Sequence, residues 1–303
     1  MDDRRNGGNG SALLPELPLD EAEARYGDLL DDIRAVLRVP FIDPFWLMLL
    51  QRPDVCARLW RWLAPLLGSV QCESAAVTLR QEAAIPLALG LPAHKAFRGD
   101  LSRIEIDADG RARISNYTMA AHYVLPKLLL AATMLRRELL RQPRPAPDGA
   151  LEPLPRGVAP GAPNVAPLDP DRAFGELPTL FTAIRAAHGH STIAAYYRTV
   201  ALAGDFLRIA WNAIKPIVGD PLYDERVAAL AALAADRSDA LRAFAAPLDL
   251  PAEDTRTLLP TLTFHAETLF PQTLVEVTII KGLLDGPDSA TRNRYSLVAD
   301  GEG

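Results

Sequence analysis

Apolar residues recur at helical spacing along most of the chain. After Asp20, the positions Leu29, Leu30, Ile33, Val36 and Leu37 share one face. Asp20 and Glu23 stand at capping-box spacing, and Val39-Pro40 ends the run because a residue before proline avoids the α region. Pro53-Asp54 opens a second helix through Val55, Leu59, Trp60, Leu63 and Leu66, which stops at Gly68, and Ser69 caps a third as far as about residue 84. The period then changes. Over residues 103–114, Ile104, Ile106, Ala112 and Ile114 alternate with polar positions around Asp109-Gly110, which predicts a short β-hairpin. A long apolar helix follows from Tyr117 to Arg141. Further helices are expected near 177–187, 193–203, from 205 to about 216–219, and near 224–246, 253–263 and 265–284, with Asp54 and Asp205 both read as caps. Pro126 and Pro271 interrupt late helices, where freed carbonyls produce kinks. The fold class is all-α with one small β-hairpin insert.

The two halves also resemble each other. Shifting the first by 151 positions brings Leu29 onto Leu180, Ile33-Arg34-Ala35 onto Ile184-Arg185-Ala186, Trp60 onto Trp211 and Gly68 onto Gly219. This predicts two tandem helical repeats with pseudo-two-fold symmetry, at 17–141 and 171–290. A disordered N-terminus is expected at 1–16, a proline-rich linker at 142–170 and a tail at 291–303. An interface between two such halves is a common place for a small-molecule pocket.

Composition narrows the chemistry. With 32 basic and 38 acidic residues the net charge is −6, which disfavours nucleic acid as a partner. No run approaches the ~18 apolar residues of a membrane span, and Met1 to Gly8 lack a signal-peptide core, so a cytoplasmic protein with no membrane partner is expected. Cys56 and Cys72 form no C-x-x-C pair, which excludes a redox dithiol or zinc motif. The stretch Asp107-Ala108-Asp109-Gly110 lacks the spaced ligands and closing Glu of a calcium loop.

Three ordered motifs carry a family resemblance: Ile33-Arg34-x-x-Leu37-x-Val39-Pro40-Phe41-Ile42, then Leu59-Trp60-x-x-Leu63-x-Pro65-Leu66, and in the second half Tyr197-Arg198-x-x-Ala201. Together with the duplication they resemble the all-α DL-2-haloacid dehalogenases over residues 20–290. The resemblance implies an active site between two facing repeats. It implies hydrolysis of 2-haloacids by direct attack of an activated water on C2, with inversion, no covalent ester, no metal and no cofactor. The implied partner is a small 2-substituted carboxylic acid or an apolar ligand, and a homodimer fits the same picture.

Departures from the family pattern select the residues to watch. The water-activating Asp would stand directly before Tyr197-Arg198, but that position holds Tyr196, preceded by Ala195. A phenol with a pKa near ~10 is a poor base at neutral pH. The water-holding Asn, if it precedes the late-helix proline, is Leu125; the nearest Asn otherwise is Asn116. Asp43, in Phe41-Ile42-Asp43-Pro44, is the acid placed to enter the site from the other repeat, although Asp before Pro also starts turns. The candidate catalytic set is therefore Tyr196, Asn116 and Asp43. Phe41, Pro44, Leu125, Ala195 and His265 are the candidate substrate contacts. Glu73, one turn after Ser69, is similar to a Thr/Glu pair of the family and is read as a surface or cap residue. His188 and His190 are read as exposed loop residues, His122 as an interhelical residue, and Trp60 and Trp211 as core. Three functions stay open: a hydrolase with a rewired base, a non-catalytic binding relative, and a helical scaffold.

Overall fold

The computed structural model describes residues 13–88, 97, 99–102, 106–147, 149–203 and 205–298. The first half comprises α1 (Leu19–Leu37), α2 (Pro44–Leu49), α3 (Pro53–Leu67), α4 (Val70–Ala88) and α5 (Ala108–Leu139). The second comprises α6 (Leu177–His188), α7 (Ala195–Val200), α8 (Phe206–Ile214), α9 (Pro221–Arg242), α10 (Ala252–Phe264) and α11 (Phe270–Asp285). No strand occurs among the described residues; a single bridge joins Ser69 to Pro153. The all-α reading therefore holds.

The β-hairpin does not form. Residues 108–114 open α5 instead, while Ile104 lies outside the described residues. Asp107 is the N-cap, its Oδ1 accepting from Gly110 N at 2.6 Å. A Cβ on Gly110 would meet Asp107 Oδ1 at 2.9 Å and Ile106 Cγ2 at 2.7 Å, so the glycine is what lets the cap close. An alternation of four apolar residues was outweighed by a cap and the helix behind it. At α1, Pro18 rather than Asp20 occupies the cap, and the chain leaves the helix through Arg38 in the left-handed region. Ser69 caps α4 as expected, its Oγ accepting from Cys72 N at 3.1 Å. Asp205 makes no cap hydrogen bond and pairs instead with Arg208, and Asp54 lies inside the first turn of α3.

Helix α5 is the central strut, packed by α4, α9, α10 and α11. By length and composition it could cross a bilayer, but 94% of its most apolar window is buried inside the protein. Pro126 lies within α5 without interrupting it, whereas Pro271 follows a π-helical turn at His265–Leu269 that separates α10 from α11. The described residues between 142 and 169 hold no helix. They run over the first half, with backbone bonds Val70 N to Glu152 O, Leu154 N to Gly68 O, Gly157 N to Ala35 O and Ala159 N to Arg38 O.

Two buried polar clusters tie the helices. In the first, Glu73 accepts from Lys127 Nζ at 2.7 Å, Tyr123 Oη at 3.1 Å and Ser296 Oγ at 3.0 Å. Glu73 and Lys127 are both inaccessible to solvent, so Glu73 is not the surface or cap residue its sequence context suggests. Burial would raise its pKa, but Lys127 and Arg80 hold it below the ordinary value. In the second, Glu276 accepts from His188 Nε2 at 2.7 Å, Tyr197 Oη at 2.7 Å and Tyr223 Oη at 2.5 Å. The His188 side chain is only 4% exposed and its ring stacks on His190, so the pair is not an exposed loop feature. Cys56 and Cys72 are free, buried thiols, each pushed up to about 12 by desolvation.

Candidate active site

A cavity lies where the α1–α2 connection, α5, the approach to α7 and the π-helical turn converge. Phe41, Asp43, Pro44, Leu125, Ala195, Tyr196 and His265 all line it. Asn116 does not. Its Oδ1 accepts from Arg294 Nη2 at 2.9 Å, away from the cavity. One residue further along α5, a rotation of about 100° turns Tyr117 inward instead.

Each wall has a local cause. Asp43 is extended before Pro44, and its Oδ1 caps α2 by accepting from Phe45 N at 2.9 Å. Pro44 at the first helical position suits α2, since its missing N–H would have no partner there. Among the described residues nothing donates to Asp43 Oδ2 within hydrogen-bond distance. Burial pushes the carboxyl up to about 6, against the lowering effect of the Phe45 N–H; Glu16 adds to the rise and Arg198 opposes it.

Tyr196 lies flat against Tyr117, with ring centroids 6.0 Å apart and an interplanar angle of 11°. Its hydroxyl shares a 3.1 Å hydrogen bond with Thr118 Oγ1, and burial pushes its pKa above the ordinary value. It is not a base at neutral pH. His265 Nδ1 lies 2.7 Å from Thr261 O, so this nitrogen carries the proton. Desolvation lowers the ring to about 4 and keeps it neutral. Phe45, Phe264 and Phe270 pack around it. A π-helical turn that re-aims a side chain in this way is a recurrent feature of functional sites.

The cavity offers about 30 Å³ to the centres of water-sized molecules, room for one or two waters. Apolar surface dominates it through Phe41, Met48, Val124, Leu125, Leu269 and Phe270. Tyr117 also borders a wider outer cleft of about 570 Å³, which includes Arg113, Thr199 and Leu202. Besides Tyr117, a charged pair escaped the sequence reading. Glu16, just before α1, lines the cavity, and its Oε1 and Oε2 accept from Arg198 Nη1 at 2.7 and 2.9 Å. Arg198 is itself fixed by donation from Nε to Leu168 O at 2.8 Å. Only the Tyr197-Arg198 motif hinted at this pair. No cluster of three or more metal-ligating side chains occurs among the described residues.

These features define an all-helical protein with an internal, mainly apolar cavity that presents a carboxylate of raised pKa. Solved structures share the fold. A D-2-haloacid dehalogenase mutant superposes with a TM-score of 0.79 at 20% identity, covering 90% of this chain and 96% of the other. A complex of a D-2-haloacid dehalogenase mutant with D-2-CPA gives 0.77 at 19% identity, covering 91% and 96%. In sequence, a configuration-inverting 2-haloacid dehalogenase from Pseudomonas sp. (strain 113) is 27% identical over 214 residues, 67% of each chain. No family model matches the chain. The chain thus has the fold of the D-2-haloacid dehalogenases and is similar in sequence to a configuration-inverting 2-haloacid dehalogenase.

Proposed function

We infer that the protein hydrolyses small 2-halocarboxylic acids without a cofactor, and that Asp43 has taken over water activation from position 196. The observation that carries this reading is the pairing of Asp43 with the cavity. Among the described residues its Oδ2 has no donor, the space beside it suits a water, and a pKa of about 6 makes it a base matched to neutral pH. The water gives its proton to Asp43 while its oxygen attacks C2 opposite the halogen. The carbon–halogen bond breaks and the halide leaves with the bonding pair. The products are a 2-hydroxy acid of inverted configuration, halide, and a proton that Asp43 returns to solvent. Phe41, Met48, Leu125 and Phe270 give the halogen an apolar seat. Tyr117, against Phe41, and Tyr196, stacked on it, continue the wall and take no proton.

The test is halide release from racemic 2-chloropropionate and 2-bromopropionate. Wild-type release that falls by about 10²–10⁴-fold in Asp43→Asn supports the reading. Release that survives in Asp43→Asn ends it. A second reading, acid binding without turnover, is favoured by the tyrosine at position 196 and the small cavity. Silence from wild type, together with release from Tyr196→Asp, would select it.

A further inference from the structure

The cavity holds one or two waters and not a three-carbon acid, so a ligand needs something to leave. The Glu16 side chain is the wall element that can. It lies on residues 13–18, which form no helix before Leu19 and are held by Leu14 N to Thr261 Oγ1 at 3.0 Å and Leu17 N to Leu47 O at 3.3 Å. Neither bond involves the Glu16 side chain. Its side chain is 29% exposed, whereas the Arg198 side chain it contacts is 8% exposed. Arg198 Nη1 faces both carboxylate oxygens, and Nε is already spent on Leu168 O. The guanidinium is thus a buried, oriented cation whose open side is presented to a carboxylate bordering the cavity.

We propose that Arg198 is the anchor for the carboxylate of an acid ligand, and that Glu16 is a resident mimic of that carboxylate which a ligand must displace. This assignment rests on the proposed reading of the cavity as a site for small carboxylic acids. Displacement does two things together. It bares Arg198 Nη1, and it adds the space of the Glu16 side chain to the cavity. A ligand carboxylate held there leaves its C2 beside the space that Asp43 borders. Neutral analogues gain the space but no charge pairing, so the site selects acids over amides and alcohols.

The experiment is titration calorimetry of the full chain with propionate, which has no leaving group, and with propionamide as the neutral control. Glu16→Ala and Glu16→Gln are expected to bind propionate about 10- to 100-fold more tightly than wild type, the span of one charge-assisted hydrogen bond. Propionamide, which gains the freed space but no charge pairing with Arg198, is expected to tighten by less than propionate in both variants. Arg198→Lys in the Glu16→Ala background is expected to lose that gain, with thermal unfolding confirming a folded protein. Should Arg198→Lys fail to fold, the two Glu16 variants decide alone. Unchanged propionate affinity in both Glu16 variants overturns the proposal, as does a gain that persists without Arg198. Halide release tests Asp43 separately: tight propionate binding without release leaves the anchor standing and ends the hydrolytic reading.

Discussion

Replacing Asp43 by Asn should make the protein more stable while abolishing the halide release proposed for it. In the folded chain this carboxyl titrates near 6, against 3.8 for an unperturbed Asp, and desolvation is the main cause. Between these values the folded state binds more protons than the unfolded state, so ionising Asp43 lowers stability as pH rises. The cost is absent below about pH 3.8, grows between 3.8 and 6, and is complete above 6. Two pKa units at 1.36 kcal/mol each give an upper bound of about 3 kcal/mol. The side chain is only half-buried by accessible area, so roughly 1–3 kcal/mol is the expected range. Asn retains an oxygen to accept from Phe45 N, so the cap on α2 survives. Urea unfolding of both proteins at pH 4, 5, 6, 7 and 8 measures the difference. Asn should be nearly neutral at pH 4 and stabilising by roughly 1–3 kcal/mol at pH 7–8. A destabilised Asp43→Asn at pH 7.5, or a gain independent of pH, would refute the argument that this carboxylate is held in an unfavourable state.

The same titration sets the activity profile: kcat/KM for halide release should rise with pH to a plateau above about 6, and a profile flat from pH 4.5 to 8 would exclude Asp43 as the base. Tyr196→Phe should lose only the Thr118 hydrogen bond, costing about 1 kcal/mol in denaturant unfolding and leaving the pH profile unmoved. Lys127→Met should cost about 3–5 kcal/mol because it strands Glu73 in the core; adding Glu73→Gln should recover part of that, and strict additivity in unfolding experiments would count against the pairing. Burial lowers the pKa of His188, but Glu276 more than offsets this and holds it above 6.5. The stability His188 contributes is therefore full below 6.5 and fades as pH rises through the folded value. Comparing His188→Gln with wild type from pH 6 to 9 should show the gap narrowing.

Much of the fold was legible because its signals are local. Ser69 as a cap, Val39-Pro40 as a stop and the apolar stripe of α3 need only a few neighbours to act. The start of α5 misled because alternation over Ile106 to Ile114 is too short to distinguish a strand from a helix, and the decisive Asp107–Gly110 cap looks like a turn. Of the site, the stretches 41–44 and 193–196 were visible through their motifs, and both reach the cavity. What sequence could not supply is long-range pairing. Nothing near Glu16 announces Arg198, and nothing near Glu73 or Glu276 announces that each is buried among donors from distant helices. Helical phase also decides identity at single-residue precision, which is why Tyr117 and not Asn116 faces inward.

The contacts of residues 13–18 set an order of events during synthesis. Leu14 leaves the ribosome among the first residues described, yet its hydrogen-bond partner Thr261 is 247 positions behind it, and Glu16 waits 182 positions for Arg198. A nascent chain can complete α1 to α5 and still lack the cation and the π-helical turn that close the cavity. The cavity is therefore finished late, only after α10 and the π-helical turn have emerged, and a chain stalled short of α10 lacks the wall that His265, Leu269 and Phe270 supply.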